Sequence, residues 1–369
     1  MAATDTLRTE YEALTERCGL VDRSERGKLA LTGSGAVEFL NGQVTNELAD
    51  LRPGEGRYAT FLTNKGKMLG DLRILAIGAD PDGPPTELLL DTERVALQAL
   101  FDMIRRYKIG YEVELHKRTL ECALLSLIGP DAGAFVADHI SAIWGRKRTH
   151  NTEGSPASAD VLSPVEHTHA PAEIGGAPVP LIVTADGVDV LFETIHIGAV
   201  RAAMLDAGAT PVGEAAAEIV RVESGQPRYG VDVDESTIPQ EAGLNERAVS
   251  FTKGCYVGQE TVARLYYRGK PNRHLRGLRM VEPAQSAEEP AQSVAEPNPP
   301  VAAFAPSVSS GEELRLGERP VGHLGSVVHS PRLGTIGLAL VRREATPGDT
   351  IAVGGQGALA ELCELPFAP

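Results

Sequence analysis

The chain has 369 residues, enough for two or three domains. Hydrophobic residues make up 42% and charged residues 23%, the balance of a globular chain with real cores, and no apolar run reaches the roughly 18 residues needed to span a bilayer. The net charge of −15 argues against general nucleic-acid binding, and the polar first ten residues lack the apolar core of a signal peptide, so the cytoplasm is the expected compartment.

In chain order, residues 28–31 read as a short strand, and Gly33-Ser34-Gly35 opens a helix with Ala36, Val37, Phe39 and Leu40 at apolar spacing. Residues 58–62 and 68–77 read as strands joined by the turn-rich Thr63-Asn64-Lys65-Gly66. Thr92 is placed to cap a helix whose apolar face is Leu97, Leu100, Phe101 and Ile104. Strands are predicted over 111–115 and 120–128, then a helix over 130–140. Residues 150–180 are rich in Pro, Ala, Gly and Ser and predict a long surface loop, with His167 and His169 solvated within it. Residues 181–184 and 188–195, around Asp186-Gly187, predict a hairpin. Helices follow over 198–207, stopping at Gly208, and over 215–223.

From Arg273 the pattern changes to short strands at 274–281, 321–329, 335–341 and 350–353, which predicts a small all-β barrel. Residues 282–311, dominated by Ala, Pro, Glu and Ser with Phe304 as the one aromatic, cannot bury enough apolar surface to offset ordering. They are expected to be a disordered insertion inside that barrel. Before it, strands and helices alternate without parallel-sheet regularity, so residues 1–272 are expected to be α+β and residues 273–369 a separate barrel domain.

Four cysteines, Cys18, Cys122, Cys255 and Cys363, lie far apart, with no C-x-x-C and no Cys/His cluster at zinc spacing. Neither a disulfide framework nor a metal site is expected. Cys255 sits in the most unusual string of the chain, Lys253-Gly254-Cys255-Tyr256-Val257-Gly258-Gln259-Glu260. A thiolate is the reactive form of cysteine, and a nearby ammonium stabilises it. Gly254 and Gly258 permit a tight turn or a close backbone approach. If residues 253–255 are extended, the side chains of Lys253 and Cys255 point the same way. Gln259 and Glu260 are placed to order the loop through hydrogen bonds to its backbone. A turn around a buried, inert cysteine fits the same residues. Directly after this string, Arg264, Arg268, Lys270, Arg273, Arg276 and Arg279 occur with no acid between Thr261 and Met280. That stretch could steer an anionic small ligand, or simply face solvent.

Residues 253–260 resemble the K-G-C-[FY]-x-G-Q-E signature of the YgfZ-type folate-binding proteins. Those proteins are relatives of the glycine cleavage T-protein, a tetrahydrofolate-dependent aminomethyltransferase. Residues 40–48 (LNGQVTNEL), 65–73 (KGKMLGDLR), 221–225 (RVESG) with 229–232 (YGVD), 238–244 (IPQEAGL) and 325–330 (GSVVHS) are similar to further family segments. The resemblance implies a three-lobed, T-protein-like ring of two intertwined α+β lobes and a C-terminal barrel. Tetrahydrofolate, or a one-carbon-substituted reduced folate, would sit at its centre.

The resemblance also implies roles. Asp71 matches the aspartate beside the folate nitrogen that receives the one-carbon unit, where a carboxylate can orient an amine or stabilise positive charge. Tyr58 matches a folate-contacting aromatic. Glu193 matches a pterin-binding carboxylate, which accepts a ring N–H and an exocyclic amine in fork geometry. Alternation puts Leu191 and Glu193 on one strand face. Arg221 matches a folate-contacting arginine, able to bind a carboxylate or stack on a ring. Lys253, Cys255 and Tyr256 belong to the branch-specific part of the site, with Lys253 and Cys255 as its reactive pair. As bare residues, Glu193 also reads as a solvated edge position, Arg221 as an ion-pair partner of Glu223 or a neighbour, and Tyr58 as core. The function implied is a folate-binding accessory protein for assembly, maintenance or repair of iron–sulfur proteins, cluster-containing tRNA-modifying enzymes among them. Its partners would be those proteins or their assembly machinery, with no nucleic acid or membrane bound directly. Two alternatives stay open: a folate-dependent aminomethyltransferase, and a folate-gated interaction module without chemistry.

Overall fold

The computed structural model describes residues 3–144, 165–281, 308–355 and 357–367. The chain divides into two units. The first takes Met1–Val220, Arg228–Gly230 and Asp234–Lys270; the second takes Arg221–Pro227, Val231–Val233 and Pro271–Pro369. No helix among the described residues is long and apolar enough to cross a membrane.

The first unit opens with helix α1 (Ala3–Glu16) and then uses one motif twice. The first copy runs β1 (Gly19–Asp22), β2 (Gly27–Thr32), α2 (Ala36–Asn41), β3 (Gly56–Leu62), β4 (Met68–Ile77), β5 (Glu87–Thr92) and α3 (Leu97–Tyr107). The second runs β6 (Glu114–Lys117), β7 (Cys122–Ile128), α4 (Ala132–Trp144), β8 (His169–Ile174), β9 (Ala177–Thr184), β10 (Gly187–Glu193) and α5 (Ile197–Asp206). The first strands are exchanged. One sheet has the order β3-β4-β5-β2-β6, and the other β8-β9-β10-β7-β1, extended by β11 (Thr210–Val212). Each copy leaves its third long strand through a glutamate and a 3₁₀ turn: Glu93 before Arg94–Ala96, and Glu193 before Thr194–His196.

Period-two alternation decides which face each residue serves. Leu29, Leu31, Leu72, Ile74, Leu88 and Leu90 bury against Phe39, Leu40, Leu100 and Ile104 of the first pair of helices. Leu125, Leu127, Val188, Val190 and Phe192 do the same with Val136, Val200 and Met204. The opposite faces meet each other through Ala30, Leu75, Leu89, Leu124, Ile182 and Leu191. That apolar layer carries a buried charge cluster. Arg73 donates to Asp91 at 2.9 Å and to Asp189 at 2.7 Å, and Ser126 donates to Asp189 at 2.6 Å. Arg26 completes it, donating to Asp91 at 2.8 Å and pairing with Glu93. Burial alone would raise the pKa of Asp91, but Arg26 and Arg73 hold it below the usual carboxylate range.

The first unit continues through α6 (Glu214–Glu223) as far as Val220, and through α7 (Asn245–Ala248) and α8 (Gln259–Arg268). The second unit is a closed six-stranded barrel in the order β12-β15-β14-β13-β16-β17. Its strands are β12 (Arg273–Val281), β13 (Glu313–Leu316), β14 (Arg319–Ser330), β15 (Gly334–Arg342), β16 (Thr350–Val353) and β17 (Ala358–Cys363). Leu278, Leu314, Val321, Val341, Ile351 and Leu362 fill it.

Four expectations are corrected. Residues 169–180 are not loop: they form β8 and the first part of β9, paired as a hairpin, and the expected strand at 181–184 completes β9. Its prolines hid it: Pro178 and Pro180 lie outside the segment of β9 that pairs with β10, which covers only 181–184, so their missing N–H groups break no ladder there. Residues 145–164 lie outside the described residues. Thr92 caps no helix; it ends β5 wholly buried, and its hydroxyl donates to the carbonyl of Asp71. The strand expected at 111–115 starts later, at Glu114, because Tyr111 packs edge-on against Phe39 with centroids 5.4 Å apart. Strands β13 and β17 go beyond the expected set; the Ala-rich ALAELC of β17 lacks β-branched residues. Of the expected insertion, 282–307 lie outside the described residues, and Gly311 already donates to Leu324 of the barrel at 2.7 Å.

Arg73→Ala would leave Asp91 and Asp189 buried without their shared cation. We expect a loss of about 3–5 kcal/mol in denaturant unfolding. A loss below about 1 kcal/mol would mean that water or Arg26 replaces it.

Candidate functional site

Strand register places two of the expected residues together. In the β3–β4 ladder Tyr58 lies opposite Arg73, and Thr60 opposite Asp71. The Tyr58 hydroxyl donates to Asp71 Oδ2 at 2.6 Å. Asp71 is 7% exposed. Burial raises its pKa, the Tyr58 hydrogen bond opposes this, and Glu93 adds to it. Burial beside Asp71 also pushes the Tyr58 phenol far up. The pair is therefore a buried acid sharing its proton-binding oxygen with a phenol.

Arg247 and Glu166, which the sequence did not single out, and His167, which it placed in a solvated loop, complete this cluster. The Arg247 guanidinium lies over the Tyr58 ring, 5.3 Å from its centroid, and bonds Glu166 at 2.7 Å. The His167 ring lies 6.2 Å from the Tyr58 ring, and its Nε2 is 3.5 Å from Glu166. Among the described residues His167 is the one non-glycine with positive φ, 71°. Its Nδ1 is buried without a partner. Burial pushes its pKa down to about 4, and Arg73 and Arg247 act in the same direction. His169 bonds the Ala76 carbonyl at 3.0 Å. The expectation of two solvated histidines is thus overturned. The available signal was their alternation at the entry of a strand, obscured by the neighbouring prolines.

The signature string folds onto a second motif more than two hundred residues away. The Lys253 ammonium donates to the carbonyls of Asn41 at 2.7 Å, Val44 at 2.9 Å and Asn46 at 2.6 Å. Val257 N–H donates to Gly42 at 3.2 Å and Ser250 N–H to Thr45 at 3.0 Å, while the Thr45 hydroxyl donates to Ala248. Gly258 crosses the 63–66 turn in left-handed conformation, φ 85°; a Cβ there would stand 2.6 Å from the Thr63 carbonyl oxygen. Segments 40–48 and 253–260 are therefore hydrogen-bonded to each other, and the turn that leads into 65–73 packs closely against Gly258.

Within it, Lys253 and Cys255 do not point the same way. Lys253 is 7% exposed and turned inward, whereas Cys255 is exposed and makes no hydrogen bond among the described residues. All three ammonium hydrogens are spent on carbonyls, so none is left for the thiol or for a ligand. Burial pushes the Lys253 pKa down to about 8, and Glu47 opposes it. Tyr256 is buried with its ring 5.3 Å from the ammonium, and burial pushes its phenol up to about 12. The expected ordering role of the Gln259 and Glu260 side chains is also corrected. They open α8, and the loop is held instead by its backbone and by Lys253. Gly254 is exposed, with open space where a Cβ would stand.

Glu193 ends β10 exposed, on the same face as Asp189 and Leu191, and has no partner among the described residues. Arg221 lies in the second unit, where its guanidinium bonds Asp232 at 2.9 Å, the Gln226 carbonyl and Ser326. Asp232 is thus a neighbouring carboxylate that pairs with it, while Glu223 accepts from Ser330 and Arg332. Of the basic stretch after Thr261, Arg264, Arg268 and Lys270 belong to the first unit, and Arg273, Arg276 and Arg279 to β12 of the second.

Residues 1–148 match the GCVT N-terminal domain, and residues 273–368 match the glycine cleavage T-protein C-terminal barrel domain. The chain belongs to the glycine cleavage T-protein superfamily. It is 27% identical over 364 residues to an aminomethyltransferase of Halothermothrix orenii, covering 97% of this chain and 90% of that protein. It is 27% identical over 366 residues to an aminomethyltransferase of Rubrobacter xylanophilus, covering 98% and 86%. The crystal structure of glycine cleavage system aminomethyltransferase T from Bartonella henselae shares its fold, with a TM-score of 0.75 at 21% identity over 98% of this chain and 89% of that one. The α+β class with a C-terminal barrel is thus the T-protein fold.

In this T-protein relative, His167 should stay neutral down to acid pH. Its native pKa lies near 4 against 6.5 when unperturbed, so the unfolded chain binds the proton first and stability falls as pH drops through that window. Wild type should lose roughly 3 kcal/mol more than His167→Gln between those limits. Equal losses in urea titrations would show that the imidazole is free to protonate in place.

Proposed function

We propose that the chain is a tetrahydrofolate-binding accessory protein of the YgfZ type, serving assembly, maintenance or repair of iron–sulfur proteins through a surface thiol. The observation that carries this reading is the exposure of Cys255 on a loop fastened to the turn behind Tyr58. A thiol so placed can be reached by another protein, whereas a buried one could not. The 253–260 string, with its Lys-Gly-Cys core, supports assignment to this branch.

The residues suit a reduced folate. A pteridine presents N–H and amine donors. Among the described residues, three acceptors have no partner: the Glu193 carboxylate, and the buried His167 Nδ1 and Gln43 Oε1. Buried acceptors of this kind are costly unless something donates to them. Asp71 and Tyr58 would hold the reacting end of the folate, with Asp71 orienting an amine there. Bound tetrahydrofolate, or a one-carbon derivative, supplies a carrier for one-carbon units.

A second reading, a folate-dependent aminomethyltransferase, is favoured by Asp71, whose buried carboxyl is kept prone to hold a proton. The names of the curated relatives point the same way.

Two measurements separate these readings. In a strain lacking the gene, cluster-dependent enzymes should lose activity under oxidative stress, and Cys255→Ser should fail to restore it. Undiminished enzyme activities would remove the accessory role; full restoration by Cys255→Ser would leave a folate-gated docking module. Formation of methylene-tetrahydrofolate from an aminomethyl-lipoyl donor by the purified protein would establish the transferase instead.

A further inference from the structure

We propose that Lys253 is a positioning residue: its ammonium gathers the carbonyls of Asn41, Val44 and Asn46, as a bound cation would, and so sets the turn that orients Tyr58 against Asp71. The path is short and continuous. Lys253 binds the Asn46 carbonyl at 2.6 Å, and the Asn46 amide donates to the Tyr58 carbonyl at 2.9 Å. The same amide lies 3.3 Å from the carbonyl of Arg247, whose guanidinium covers the Tyr58 ring. The Tyr58 hydroxyl then meets Asp71 at 2.6 Å.

Chemistry explains why lysine is needed. Three carbonyl oxygens converge inside the protein, and each would be costly without a donor. A tetrahedral ammonium supplies three N–H groups in three directions from one point, whereas a guanidinium supplies a planar fork. No carboxylate bonds this ammonium among the described residues; Glu47 instead caps the Leu48 and Ala49 N–H groups of the same turn, at 3.1 and 3.0 Å. Lys253 and Cys255 therefore divide the labour of one string, the first facing in to hold the scaffold and the second facing out.

The test is hydrogen exchange of amides 42–48, with strand β12 (273–281) as internal control. In Lys253→Met, exchange in 42–48 should rise about tenfold or more, the loss expected for charge-assisted hydrogen bonds, with β12 unchanged. In Lys253→Ala, added n-propylammonium, which replaces the atoms removed, should restore protection. Unchanged protection of 42–48 in Lys253→Met would overturn the proposal. If that variant loses protection everywhere, Lys253→Arg decides: selective loss in 42–48 supports the proposal, and full protection overturns it. A second readout, the tetrahydrofolate dissociation constant, rests on the folate reading; it should rise about tenfold in Lys253→Met and recover with n-propylammonium in Lys253→Ala. If wild type binds no tetrahydrofolate, the folate reading falls while the exchange result still judges Lys253.

Discussion

The first unit depends on how it keeps charge between two sheets. Arg73 is shared by Asp91 of its own sheet and Asp189 of the other, in a layer otherwise filled by leucine, isoleucine and alanine. A buried ion group adds little net stability over a well-packed apolar one, but a misplaced partner is very costly. The cluster therefore acts on register. Because strand faces alternate, a one-residue slip of β4 would turn Arg73 away from both carboxylates and Asp71 away from Tyr58. The same constraint that aligns the sheets aligns the candidate site.

Lysine is handled differently in this protein. Lys28 and Lys253 are both buried, and among the described residues neither ammonium is hydrogen-bonded to a carboxylate. Lys28 donates to the carbonyls of Ser24 and Arg26 at 2.9 and 3.1 Å, and Lys253 to three carbonyls of the 41–46 turn. Irregular backbone buried away from water must find donors for its carbonyls. A lysine head does this for several oxygens at once. Beside the Tyr58–Asp71 pair, which two strands hold, the Lys253 cation makes the 41–46 turn as definite as a ladder would.

Much of this was legible in the chain. The alternation in 68–77 marked β4, and the change to short strands after Arg273 marked the barrel. The family segments identified Tyr58 and Asp71, which the register then brought into contact. Other features were hidden for physical reasons. His167 and His169 stand beside prolines that signal loop, yet those prolines fall where no ladder needs their N–H groups. Arg247 and Glu166 are ordinary surface types, and only the fold brings one over Tyr58 and pairs it with the other.

The sequence by itself determined the class of fold, the repeat of strand and helix, the barrel, and the chemical types available for a site. It did so because hydrophobic periodicity and turn residues act over a few positions, where neighbours in sequence are neighbours in space. Only the tertiary structure decided that Lys253 faces inward while Cys255 faces out, and that His167, in a stretch that reads as solvated loop, lies partly buried beside Tyr58. Those outcomes depend on carbonyls and rings supplied from segments far away along the chain. Local spacing cannot report which partner will satisfy a buried charge.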